Sequence, residues 1–450
     1  MGIRMQGLSG GFDPKMVDQL VQLEKIPVEQ AKQRKEKVVI ERKEVLKLTS
    51  MLSELDGTLN SLKNYTDFAK MKVESSHPDI IDGIVKSSAL PGSYEFEVRG
   101  MARSEKELAY GFPDKTSTDV GFGYMYIERE DLEPLEVEIE PGSTLDQVAQ
   151  KINDANGGVK ALVVNTKYQP DPYRLLVVSE KSGKESRINI DPDTTFMEFK
   201  EQVTGRNLDL LFEDVPITDE TNTLAELIDG VVFNVHRAEP GTRVQVNIAF
   251  DLEKTVEGIK AFVDKYNAVS DFVNNQFKQD PETKKAGILS GDGSIKTVMR
   301  SLQSALVQIP TTSSKYNSLA DIGITTNPKT GTLVMDEAKV RQALAEDYVG
   351  VSRIFTRNRD SSGVADRLAT QLKGIRDPEF GTMKSRERGL DNVIKNQDKE
   401  IEQKEENMKK REEMIRHKFT ALDGQLSGLK AQGDFLNQRF GAQGGGGGAG

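Results

Sequence analysis

The chain has 450 residues, too many for one ordinary core at roughly 100–200 residues per domain. Charged residues make up 29% and apolar residues 36%, and a formal net charge of −10 argues against a general nucleic-acid binder, which relies on basic surface. The absence of cysteine excludes a disulfide framework, a thiol nucleophile and thiolate-held zinc or iron–sulfur groups. No run of about 18 apolar residues is present to span a membrane, and residues 1–15 contain no apolar signal core. The chain is therefore expected either to stay in the cytoplasm or to be exported by a route that reads no cleavable signal.

Between residues 16 and 62 the apolar positions recur at helical spacing. Val38, Val45, Leu52 and Leu59 are seven apart, and Leu48, Leu55 and Leu62 form a second row. The residues between them are charged, with eight acids and eight bases over 17–62, which is the pattern of a coiled coil. Pro27 is expected to break this stretch, dividing a short leading helix over 14–25 from a long one.

The middle of the chain has a different period. Gly92-Ser-Tyr-Glu-Phe-Glu-Val and Leu135-Glu-Val-Glu-Ile-Glu alternate polar with apolar, as half-buried strands do. Further strands are expected over 175–178, 187–190, 231–235 and 243–248. One helix over 144–155, capped by Ser143 and closed at Gly157-Gly158, lies among them. Residues 76–251 hold 33 acids and 17 bases, so this segment alone carries −16. It reads as an acidic, strand-rich head of two small domains.

After Leu252 the helical period returns with Val256, Ile259, Phe262, Val263 and Tyr266 on one stripe. A loop follows over 280–293, then a helix over 295–306 and a hairpin over 323–335 that turns at Asn327-Pro328 and Gly331. Asp336 is placed to cap the helix after it. The last segment keeps strict sevenfold spacing through Ile394, Ile401, Met408, Ile415, Leu422, Leu429 and Leu436. Phe419, Leu426 and Phe440 fill a second row only in its later half, where Gly433 leaves a gap; Asp398, Glu405 and Glu412 occupy that row earlier. Residues 390–440 hold ten acids and ten bases and predict a rod on the order of 75 Å long. Residues 444–448 are glycine, a flexible linker by composition.

The fold class expected is therefore α+β and multidomain: a helical coiled-coil stalk paired from the N- and C-terminal segments, with the strand-rich head inserted between them. The seams can bury themselves against each other or against other chains, and periodicity alone leaves both open.

The search for chemistry returns little. His77, His236 and His417 are far apart, and Glu413 one turn before His417 reads as a surface contact rather than a metal pair. Gly183-Lys184 lacks the first glycine and the hydroxyl residue of a phosphate loop. Gly121-Phe-Gly123 reads as a turn, and no G-x-S-x-G elbow occurs. Glu128, Glu130, Asp131 and Glu133 do not follow the 12-residue calcium-loop pattern and read as a solvated edge. No catalytic residue, metal or cofactor is expected.

The opening Gly7-Leu-Ser-Gly-Gly-Phe-Asp, followed by Met16-Val-Asp-Gln-Leu-Val-Gln-Leu-Glu-Lys-Ile-Pro, resembles the start of the bacterial flagellar filament cap (hook-associated protein 2) family. Ser9 and Gly10 stand in swapped order relative to that family, and Phe12 replaces a leucine. Gly92-Ser-Tyr-Glu-Phe-Glu-Val is similar to its entry into the head. Ser143-Thr-Leu-Asp-Gln-Val-Ala-Gln-Lys-Ile-Asn-Asp-Ala is similar to a helix shared by caps and flagellins. Phe262-Val-Asp-Lys-Tyr-Asn, Leu319-Ala-Asp-Ile-Gly-Ile, Gly331-Thr-Leu-Val-Met-Asp-Glu and Phe435-Leu-Asn-Gln-Arg-Phe continue the resemblance in order, with residues 106–205 matching least.

The resemblance implies a non-enzymatic cap at the distal tip of the flagellum, outside the cell. It implies export by the flagellar apparatus, with an export chaperone, and a homo-oligomeric ring of about four to six chains that holds back flagellin and promotes its folding and joining. Neither nucleic acid nor membrane is an expected partner. A tip adhesin, and a flagellin or hook-junction protein, are the alternatives. The domains expected are an N-terminal leg (1–40), a stalk helix (41–75), an inner head domain in two parts (76–112 and 205–252) and an outer head domain (113–204). A helical stalk domain with a hairpin (253–388), a C-terminal leg (389–440) and a tail (441–450) complete the chain. The candidate interface residues are Leu8, Leu20, Leu23, Val38, Val45, Leu48, Leu52 and Leu55 near the start. Towards the end they are Ile394, Ile401, Met408, Ile415, Phe419, Leu422, Leu426, Leu429, Leu436 and Phe440.

Overall fold

A computed structural model describes residues 14–85, 89–130, 132–279, 286–307, 314–357 and 361–441. Helix α1 (Pro14–Asn60) opens the chain, followed by the single turn α2 (Tyr65–Phe68). Strands β1 (Met71–Ser75), β2 (Ile81–Val85), β3 (Gly92–Gly100), β4 (Lys106–Ala109), β5 (Gly123–Arg129) and β6 (Leu132–Ile139) precede helix α3 (Leu145–Asp154). Then come β7 (Val159–Asn165), β8 (Tyr173–Ser179), β9 (Asn189–Ile190), β10 (Phe199–Val203) and β11 (Leu208–Phe212). Strands β12 (Val215–Asp219), β13 (Thr223–Ile228), β14 (Val231–Val235) and β15 (Val244–Phe250) complete the strand-rich segment. Helices α4 (Leu252–Phe277) and α5 (Gly293–Val307) follow, then the hairpin β16 (Ile324–Thr326) and β17 (Leu333–Met335). The chain ends with α6 (Glu337–Glu346), α7 (Tyr348–Phe355), α8 (Val364–Arg376) and α9 (Thr382–Gly441).

These elements fall into two compact units, one from Met1–Tyr65 with Val256–Gly450 and the other from Thr66–Thr255. The α+β architecture is thus a helical unit made from both ends of the chain and a strand-rich unit inserted between them.

In the helical unit, the rows Val45, Leu48, Leu52, Leu55 and Leu59 of α1 are fully buried, as are Phe262 and Tyr266 of α4 and Leu368 and Leu372 of α8. Asn267 on α4 clamps the hairpin, its amide donating to the Leu333 carbonyl at 2.7 Å while its side-chain oxygen accepts the Leu333 N–H at 2.6 Å. Gly331 takes φ of +70° at the hairpin turn, a conformation open mainly to glycine. Asp336 caps α6 by accepting the Lys339 N–H at 3.1 Å.

The strand-rich unit has two cores. The first lies between a five-stranded sheet, β1-β15-β3-β11-β12, and a three-stranded sheet, β13-β14-β2, and is centred on Phe96, Leu208, Leu210, Phe233, Val244 and Val246. The second joins the four-stranded sheet β10-β4-β8-β7 to the three-stranded β6-β5-β9 under α3, around Met125, Leu145, Val148, Ile152, Leu175 and Val177. The chain passes from one core to the other and back along two adjacent stretches. There Arg103 and Arg206 exchange backbone hydrogen bonds of 2.9 and 3.2 Å, and Glu105 accepts the Gly205 N–H at 3.0 Å.

Three expectations are corrected. Helix α1 runs through Pro27 without a break. A proline removes one backbone hydrogen bond and crowds the preceding turn. Buried Val21, Val28 and Ala31 secure the helix on both sides of it, and tertiary packing outweighs a local defect of that kind. The cap of α3 is Thr144, whose N–H donates to the Gln147 side chain at 3.0 Å; Ser143 is buried in the preceding turn instead. The last helix begins at Thr382, so its 60 residues extend about 90 Å.

Candidate functional site

The candidate surface is the leg formed by α1 and α9. A row of ion pairs between them gives their direction and register. Glu24 meets Arg411 at 2.9 Å, Lys32 meets Glu405 at 2.8 Å, Arg34 meets Glu400 at 3.0 Å and Lys35 meets Asp398 at 2.5 Å. Arg42 meets Asp391 at 2.5 Å, so rising numbers on α1 face falling numbers on α9 and the pair is antiparallel. These pairs are solvent-exposed and each contributes little stability, but together they fix the alignment. The hydrogen bond from Lys32 to Glu405 pushes the lysine's pKa up, and that from Arg42 to Asp391 does the same for the guanidinium. Nearer the base, Arg386 joins α9 to α1 through Glu41 and holds buried Asp292 at 2.6 Å. Burial opposes the charge on Asp292, yet hydrogen bonds from Ser294 and the charge of Arg386 keep its carboxyl below the usual range.

The candidate residues divide by depth. Val45, Leu48, Leu52 and Leu55 are fully buried inside the chain, and Ile401 is 8% exposed. Leu20, Val38, Ile394, Met408, Ile415, Phe419 and Leu426 are half-buried along the leg. Leu23 stands out at 58% exposed. Sequence reading missed Val21, Val28 and Ala31, which are the buried residues of this part of α1. The available signal was spacing: Ala31 lies seven before Val38, and Val28 seven after Val21. Leu8 and the Phe440 side chain lie outside the described residues.

Asp18 faces Arg416 at 3.9 Å, so Pro14, the first described residue, lies level with about residue 420. Helix α9 continues to Gly441. On that extension Leu422, Leu429 and Leu436 are 42%, 65% and 51% exposed. From Ile401 onward the apolar row thus passes from buried, to half-buried, to open along one helix. Among the described residues, no group of three or more histidine, aspartate or glutamate side chains is placed to hold a metal ion, and no helix is long and apolar enough to cross a membrane.

The two ends of the chain form an antiparallel helical leg with an exposed apolar row, and a β-rich segment is inserted between them in sequence, an architecture suited to a structural protein that assembles through its helices. Family models give the particular family. That of the flagellar hook-associated protein 2 N-terminus matches residues 11–105, and that of its C-terminus matches residues 205–431. The chain belongs to the flagellar hook-associated protein 2 family. It is 25% identical to the B-type flagellar hook-associated protein 2 of Pseudomonas aeruginosa, over 85% of this chain and 84% of that protein. It is 26% identical to the A-type protein of the same species, over 95% and 96%. The D1-D2-D3 domains of the Escherichia coli flagellar cap protein share its fold, with a TM-score of 0.63 at 24% identity over 77% of this chain and 99% of that one. The two family models leave 106–204 between them, the residues that build the second core.

Proposed function

We propose that the chain is a non-enzymatic cap at the distal end of the flagellar filament, outside the cell, where it retains flagellin and promotes its folding and joining. The observation that carries this reading is the open end of the leg: an exposed leucine row at 422, 429 and 436, continuous with a seam that is buried lower down. A row of that kind fits insertion among the helices of a filament end. Copies of the chain close into a small ring of about four to six. Flagellin is the partner of the legs, and export proceeds through the flagellar apparatus with a chaperone.

The division into legs (1–40 and 389–440), stalk (41–75 and 253–388), inner head (76–112 and 205–252), outer head (113–204) and tail (441–450) belongs to the same proposal. Within it, the partner-facing residues are Leu20, Leu23, Met408, Ile415, Phe419, Leu422, Leu426, Leu429 and Leu436, together with Leu8 and Phe440, whose side chains lie outside the described residues. Val38, Ile394 and Ile401 align the leg on itself, and Val45, Leu48, Leu52 and Leu55 support its base.

The test is deletion of the gene, with complementation by the intact chain and by a variant carrying serine at Leu422, Leu429 and Leu436. Capping requires that flagellin spill into the medium on deletion, that the intact chain restore filaments, and that the triple variant fail although it is made and exported. Normal filaments in the deletion strain with lost surface attachment would replace the cap reading by that of a tip adhesin.

A further inference from the structure

We propose that the solvent face of the β6-β5-β9 sheet docks an extended polypeptide segment bearing arginine or lysine at alternate positions. This surface lies in 106–204, between the two family matches, and the proposal does not depend on the capping role.

The face is built by strand alternation. Met125 and Ile127 of β5 point into the second core, so Tyr124 and Tyr126 point out. On β6, Val137 and Ile139 point in, so Glu136 and Glu138 point out. The register pairs Tyr124 with Glu138 and Tyr126 with Glu136, which places a carboxylate beside each phenol ring. Burial, and then the Glu136 charge, raise the pKa of Tyr126, so its ring stays neutral.

Two exposed aromatic rings lie next to the start of β5. Phe122 and Phe196 are 56% and 67% exposed, and their rings lie 5.1 Å apart at 45°. They are positioned by backbone. Gly121 takes φ of +93°, and a Cβ there would stand 2.8 Å from that of Phe196. Asp119 accepts the Gly121 N–H at 2.9 Å, and Tyr124 donates its N–H to the Thr194 carbonyl at 3.2 Å. At the edge of the face Lys151 is already engaged, 3.6 Å from Glu140 and donating to the Glu138 carbonyl at 3.2 Å.

Aromatic faces attract cations, guanidinium stacks on them, and an adjacent carboxylate supplies the counter-charge. Same-face residues of an extended strand repeat every 7 Å or so, which is why cations at alternate positions fit rings and carboxylates laid out along β5 and β6. A segment with a single terminal cation would meet only one ring.

The experiment measures fluorescence anisotropy of a fluorescein-labelled (Arg-Ser)5 peptide titrated with the full chain at two salt concentrations. Hydrogen exchange locates the contact. The expected result is protection confined to β5 and β6. Binding should weaken about tenfold in the Tyr124→Ala/Tyr126→Ala variant, which leaves net charge unchanged. A similar loss, with a shallower salt dependence, is expected for Glu136→Gln/Glu138→Gln, which also serves if the tyrosine variant fails to fold. Equal binding by wild type and tyrosine variant, with Glu226→Gln/Glu257→Gln as damaging as Glu136→Gln/Glu138→Gln, would reduce the effect to diffuse charge and overturn the proposal. So would protection of β5 and β6 by neutral maltohexaose but not by the peptide, which would make the row a sugar platform.

Discussion

Glu107 sits where a carboxylate is poorly solvated. It lies on β4, 9% exposed, with Val177 of β8 opposite it on one side and Glu201 of β10 on the other. Burial first, then the charges of Glu105 and Glu201, push its carboxyl up to about 7. Glu105 is raised as well, chiefly by burial, although its bond from Gly205 acts against the shift. The folded head therefore keeps the Glu107 proton at pH values where the unfolded chain has released it. Its contribution is fully present below the ordinary carboxylate value and is lost as pH rises through 7. Between pH 4.5 and 8 the head should lose about 2–3 kcal/mol from this group. In Glu107→Gln that slope should flatten. Urea midpoints of the head transition at pH 5 and 8, for wild type and variant, check both statements. An unchanged slope would show that the carboxyl is ionised in the fold.

At the scale of elements, α9 combines two behaviours in one helix. Its lower part is integrated with α1, and its upper part presents leucine to solvent. Leu52→Ala on α1 removes a fully buried side chain and should destabilise the helical unit by about 2–4 kcal/mol. Leu429→Ala, at 65% exposure, should change stability by less than about 0.5 kcal/mol. Denaturation of the two variants, set beside filament assembly in cells, separates support from contact: Leu52→Ala fails by instability, and Leu429→Ala, if it fails, fails while folded.

Sequence periodicity went far for these elements, because a sevenfold row needs no tertiary information to be seen. It did not distinguish Leu55, buried within the chain, from Leu429, exposed, since both occupy the same kind of seam. That difference comes from which turns of α9 face the described part of α1, which the spacing of one helix does not contain. Pro27 misled for a related reason: local propensity predicts a break, while the helix is held from outside by residues on either side of it. The head strands were visible by alternation at 92–98 and 135–140. Weakly alternating β10, with Phe199 and Val203 around Lys200, Glu201 and Gln202, left no such signal.

For the whole molecule, the second core is a separable addition. Both passages of the chain into it run side by side, bridged at Arg103 and Arg206. The hydrophobic residues of the first core lie outside the excised stretch. Replacing 107–203 by a short glycine–serine link should therefore leave the first core folded and the leg unchanged. Such a chain should restore filaments in a deletion strain while losing the arginine-peptide binding proposed for β5 and β6. Loss of the first-core unfolding transition in the shortened chain would show that the two cores fold as one.

The pairing of Met71 with Phe250 bears on how the chain reaches this state at all. Arg34 and Glu400, joined in the leg, are 366 positions apart. For an unfolded loop of that length, closure entropy is on the order of 5 kcal/mol. A chain delivered N-terminus first cannot begin that closure until its last helix has emerged. Strands β1 and β15, however, bring the entrance and exit of the head together as soon as the head folds. Nearly 180 residues are then removed from the loop, and the segments leading to α1 and α4 start side by side. The inserted head thus acts as a kinetic clasp: it should fold first and shorten the search that the helical ends must make. Refolding should accordingly show two ordered phases, the strand-rich one preceding the helical one.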